Sequence, residues 1–188
     1  ALYYPPREGD SRRGSDRLTS YVLAASHEAG RALPEASRER MLQALAAFVE
    51  GRVMRAGWSP ASAKGLDLDV RKLSAIEALS RHGRASPRHL QSITLEPNRW
   101  PTAAVIDWLR ILQRLDIGPE RGARLQEAMT LLRSRLTWGG TTLKFSTEET
   151  DFWWWLMDSA DANAARLILA VVDDPAWKDE VPRMVLGA

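Results

Sequence analysis

At 188 residues and 45% hydrophobic, the chain is long enough to bury a core of its own. Its 26 Lys and Arg against 24 Asp and Glu leave a formal charge of only +2, a balance that implies no polyanion or nucleic-acid partner. There is no cysteine, which excludes disulfides, thiolate metal sites and cysteine nucleophiles; the longest charge-free apolar stretch, Leu167 to Val172, falls far short of the roughly 20 residues that cross a bilayer.

Residues 1–14 carry Pro5, Pro6, Gly9 and Gly14 among charges of both signs, without a period, and read as an irregular lead-in. Residues 15–188 read as one α-helical domain. The start at Ala1, without initiator Met or signal peptide, and the close at Leu186-Gly-Ala lead us to expect a segment of a larger multidomain protein.

From Ser15 or Asp16 as N-cap, Leu18, Tyr21, Val22 and Ala25 recur at helical spacing and predict a first helix that stops at Gly30. Pro34 opens a second, with Met41, Leu42, Leu45, Phe48, Val49 and Val53 on one face and an end at Gly57. A third runs from about Leu66 to Gly83, and Ser86-Pro87 starts a short fourth. The fifth, from Thr102, has apolar residues on more than one face (Val105, Ile106, Trp108, Leu109, Ile111, Leu112, Leu115) and should be largely buried.

After Gly118-Pro119 the sixth helix, Glu120 to Leu136, carries the stripe Leu125, Met129, Leu132, Leu136. Near 138–147, Gly139-Gly140 followed by alternating Thr141 to Phe145 predicts a short β-hairpin or extended loop. Ser146-x-x-Glu149 has capping-box spacing ahead of Phe152 to Met157; Ala164 to Val172 follows, and Asp174-Pro175 starts a last helix ending near Gly187. Leu18 to Ala24, Leu73 to Leu79, Ala103 to Leu109 and Ala164 to Ala170 align as an internal repeat, each followed by a more amphipathic partner. Helical hairpins of that kind suit a solenoid or an α/α toroid, so the expected fold is all-α, a toroid or incomplete ring with one small β element.

The motifs that would carry catalysis are broken. His27-Glu28 lacks the second metalloprotease histidine, since position 31 is Arg, and His82 and His89 have no cysteine or clustered carboxylate beside them. Asp67-Leu-Asp69 and Asp173-Asp174 stand where helix capping explains them, and the spacing of Glu148, Glu149, Asp151, Asp158 and Asp161 does not establish a glycosidase pair. Gly139-Gly140 has no following Lys-Ser/Thr and reads as a tight turn rather than a phosphate cradle. We therefore expect no catalytic residue, cofactor or metal. Of the eight tryptophans, the consecutive Trp153, Trp154 and Trp155 point about 100° apart on a helix, so core packing plus one contact to a neighbouring domain is the expected use.

Ser15-Asp-Arg-Leu-Thr-Ser-Tyr-Val-Leu, Arg71-Lys-Leu-Ser-Ala-Ile-Glu-Ala-Leu, Trp100-Pro-Thr-Ala-Ala-Val-Ile-Asp-Trp-Leu, Phe152-Trp-Trp-Trp-Leu-Met through Asn163-Ala-Ala-Arg-Leu, and Asp173-Asp-Pro-Ala-Trp resemble, in that order, the later part of the thioester-type helical domain of bacterial alpha-2-macroglobulins. The resemblance spans nearly the whole chain. It implies an α/α toroid within a periplasmic protein that traps proteases: a bait segment elsewhere is cut, the domains rearrange, and in many members a Cys-x-Glu-Gln thioester captures the attacker. That motif is not in this sequence; it lies before Ala1, or the chain belongs to the relatives that lack it. The implied role is a non-catalytic scaffold that meets neighbouring domains and, through the full-length protein, target proteases. Two other readings stand beside it: an enzyme on the same toroid, such as a terpene cyclase or glycosidase, and a free-standing helical-repeat binding protein.

Overall fold

The computed structural model describes residues 15–53, 66–145 and 159–187. Among the described residues are eight α-helices and one two-stranded antiparallel hairpin, so the chain is all-α with a small β element. Contacts divide it into two compact units, Ala1–Leu95 with Arg114–Asp116 and Glu96–Gln113 with Ile117–Ala188.

In the first unit, α1 (Asp16–Glu28) starts where Ser15 Oγ accepts the Leu18 N–H at 3.2 Å, and it closes at Gly30, whose φ of +61° favours glycine. The expected apolar face is not the buried one. Tyr21 is 56% exposed and Ala25 is exposed, while Thr19, Ser20 and Leu23 are buried. The Thr19 and Ser20 hydroxyls donate back to the Ser15 and Asp16 carbonyls at 2.7 and 2.9 Å, so these polar side chains enter the interior with their hydrogen bonds made.

Helix α2 (Glu35–Val49) begins after Pro34 as expected but ends six residues early, at Gly51 rather than Gly57. The Arg52 N–H returns to the Ala47 carbonyl at 2.8 Å across Gly51 in the left-handed region, which terminates the helix and leaves Val53 outside it. Helix α3 (Leu66–Arg81) packs on both α1 and α2 and supplies most of this unit's core through Val70, Leu73, Ala75, Ile76, Ala78 and Leu79. The short α4 (Pro87–Leu90) follows from Ser86-Pro87.

The second unit is built on α5 (Thr102–Arg114), in which every residue from Thr102 to Leu112 is buried, as its all-round apolar pattern requires. Trp100 and Trp108 meet edge to face with centroids 6.1 Å apart. Helix α6 (Arg121–Ser134) buries Met129 and Leu132; Leu136, expected on its stripe, instead opens strand β1 (Leu136–Gly139). β1 pairs with β2 (Thr142–Phe145) in the register Trp138 to Leu143, and Gly140, at φ +67°, makes the turn.

Ser159 caps α7 (Ala160–Val171), which therefore starts ahead of Ala164. The single last helix expected from Asp174 is two elements: Asp174 caps a 3-10 turn over Pro175–Trp177, and α8 (Val181–Val185) follows. The capping box at Ser146 and the helix through Phe152 to Met157 lie outside the described residues.

A buried helix is followed by a more exposed one in two of the four expected pairs, α3 with α4 and α5 with α6, whereas α7, which buries only Asn163, Ala164, Leu167 and Val171, is itself half exposed like α8. The first pair reverses: α1 buries only Thr19, Ser20 and Leu23, whereas α2 buries Leu42, Leu45, Ala47, Phe48 and Val49.

Helices α7 and α8 pack together and against β2. Gly187, just beyond α8, lies so near β2 that a Cβ there would stand 2.5 Å from the Leu143 carbonyl oxygen. Gly187→Ala is accordingly expected to lower stability by about 1–3 kcal/mol, the usual cost of overpacking a backbone contact. An unchanged denaturation midpoint for this variant would show that the chain end moves away freely.

Candidate functional site

Two of the clefts in the first unit, formed by described residues, carry titratable side chains. The larger, of about 480 Å³, lies between the end of α2 (Val49, Glu50, Arg52) and the α4 region (Arg88, His89, Gln91, Ser92). His89 is oriented by its own cap: its Nδ1 accepts the Ser86 N–H at 3.2 Å, and its Nε2 stands 3.7 Å from Glu50 Oε1. The fork of Arg52 grips Glu50 Oε2 through Nε at 2.6 Å and through Nη2. That hydrogen bond, above all, holds the Glu50 carboxyl below the usual carboxylate range, with burial opposing and the charges of Arg52 and His89 assisting. Glu50 is thus an ionised anchor for cations, opposite to the raised carboxyl a general acid needs. The Ser92 hydroxyl donates to the His89 carbonyl at 2.8 Å rather than meeting the imidazole, so the cleft does not assemble a nucleophile with its base.

The smaller cleft, of about 280 Å³, is lined by Ser26 and His27 of α1, Gly30 to Leu33 of the following turn, Arg38 of α2 and His82 just after α3. Here the His27 and His82 rings meet edge to face, centroids 5.4 Å apart. Burial, then the neighbouring His27, pull the His82 pKa below its ordinary 6.5; Arg38 and Arg81 add to this and a backbone hydrogen bond at Leu23 opposes it. The depressed pKa makes the unfolded chain the better proton acceptor, so His82 costs no stability above about pH 6.5 and an increasing amount as pH falls from there to its folded value. Chemical denaturation of the parent chain and His82→Gln across this range should show a steeper loss on acidification in the parent. Parallel pH profiles would be incompatible with that assignment.

The other residues singled out in the sequence serve the fold. Glu28 pairs with Arg81, Asp67 with Arg71 at 3.1 Å, and Asp69 accepts the Thr94 N–H at 3.3 Å. Asp174 caps Ala176, and Gly139-Gly140 forms the hairpin turn. Asp161 is an exposed first-turn residue of α7. Glu148, Glu149, Asp151, Asp158 and the run Trp153, Trp154, Trp155 lie outside the described residues. Of the other tryptophans described, Trp177 is fully buried beneath the Arg133 guanidinium, 4.1 Å from its ring, while Trp138 is 58% exposed with Arg183 4.7 Å above it. Among the described residues no three His, Cys, Asp or Glu side chains converge as a metal site.

Sequence reading missed Arg31 and Arg38, which only the fold brings to His27 and His82. Comparison with protein-family models, curated proteins and solved structures finds no match for this chain.

Proposed function

We propose that the chain is a non-catalytic scaffold and domain-contact segment of a protease-trapping inhibitor, an α/α toroid of the alpha-2-macroglobulin kind acting in the periplasm. One structural observation supports this reading beside the sequence resemblance: large apolar side chains more than half exposed gather on the packed elements of the second unit. Trp138 on the hairpin, Val172 at the end of α7, and Val185 and Leu186 at the end of α8 are 54–70% exposed, and Leu169 of α7 is half exposed. Apolar surface of this kind is suited to burial against a neighbouring domain. The same reading gives Trp153, Trp154 and Trp155 contact roles.

The test is made on the whole polypeptide encoded with this segment, mixed with an endopeptidase. A trap leaves the enzyme active on a small peptide substrate while shielding it from a large protein substrate. Replacing Trp138 and Leu169 by Ser should weaken that shielding while leaving the helical circular dichroism intact. Equal inhibition of both substrates, or none, would rule the trap out.

A further inference from the structure

The cleft between the end of α1, the start of α2 and the end of α3 has a one-sided charge. Among the described residues its ionisable lining is His27, Arg31, Arg38 and His82, without a carboxylate. The acidic residues nearest in sequence are engaged or turned to solvent: Glu28 binds Arg81, Glu39 binds Arg84 at 3.0 Å, and Glu35 is exposed. Among the described residues neither the Arg31 nor the Arg38 guanidinium has an ion-pair or hydrogen-bond partner. The contrast with the larger cleft is direct, since there Glu50 neutralises Arg52 and faces His89 from within the site.

One further feature favours negative charge at this place. Helix α2 runs for 15 residues from Glu35, two residues after the cleft residue Leu33, and the intervening Pro34 gives its N-terminus no side-chain cap. Planar guanidinium forks match the geometry of a tetrahedral oxyanion.

We infer that this cleft is a binding site for a phosphate group, held by Arg31 and Arg38 with His27 as a further hydrogen-bond donor and the His82 ring in the wall beside it. The inference does not depend on the protease-trap reading.

The test follows the imidazole resonances of His27 and His82 by NMR in the 188-residue chain, titrated with inorganic phosphate or phenyl phosphate at constant ionic strength. Saturable shifts at both rings are expected, with the His82 pKa rising as phosphate binds. Arg31→Ala, which alters an exposed turn, and Arg38→Ala should each weaken binding by about tenfold, the loss of one charge-assisted contact. Phenyl phosphate binding as tightly as inorganic phosphate would place the group on a larger molecule, whereas preference for inorganic phosphate identifies the free ion. Shifts that chloride reproduces, or that persist unchanged in both arginine variants, would overturn the site.

Discussion

Replacing Glu77 by alanine is expected to destabilise the protein by about 3–5 kcal/mol, the cost of stranding a buried charge. Glu77 is 2% exposed in the middle of α3 and accepts from Arg81 Nε at 2.8 and 3.0 Å and from Arg114 Nη1 at 3.0 Å. Arg81, itself 4% exposed, also pairs with Glu28 of α1, so one carboxylate organises a chain of charges linking α1, α3 and Arg114. Removing the carboxylate leaves Arg81 with Glu28, which is 34% exposed, and a long 3.5 Å hydrogen bond to the Ala24 carbonyl, which together recover little of the lost solvation. Urea denaturation followed by helical circular dichroism measures the loss. Substituting Glu77, Arg81 and Arg114 together by Met should restore most of the stability, because the interior then holds no unpaired charge. A Glu77→Ala loss below about 1 kcal/mol would mean that water reaches Arg81 and that the network is superficial.

Helix starts and stops were legible wherever a local signal decides them. Ser15 and Pro34 mark two starts, Gly30 and Gly140 mark a helix end and a turn, and each acts through its own backbone or side chain. The buried face of α1 was not legible, because hydroxyl bonds to the preceding turn let Thr19 and Ser20 replace the apolar residues that periodicity selects. The end of α2 was misplaced at Gly57, because Gly51 carries equal propensity and only the backbone bonds across it show that the helix stops there. The basic cleft was hidden for a different reason: His82 is distant in sequence from His27, Arg31 and Arg38, and only the packing of α3 against α1 and α2 brings them together. One trace of the charge network does exist in the composition. Lys64, Lys72, Lys144 and Lys178 are the only lysines, so nearly all the basic charge is arginine, the side chain suited to bidentate, partly buried pairs.

Trp108→Ala should cost about 3–5 kcal/mol, and Trp108→Phe less than half of that. The side chain is fully buried in α5, the most enclosed helix described, and removing the indole leaves a cavity that rigid neighbours on every side fill poorly. Phenylalanine keeps the aromatic body against Trp100 and also deletes Nε1–H, which has no acceptor among the described residues. A buried donor without a partner costs about 1–3 kcal/mol, so its removal offsets part of the volume lost. Chemical denaturation of both variants separates the two contributions. Equal losses for Phe and Ala would mean that the indole ring itself, rather than bulk apolar volume, fixes the position of α5; a small loss for both would mean that the core around α5 collapses readily onto the gap.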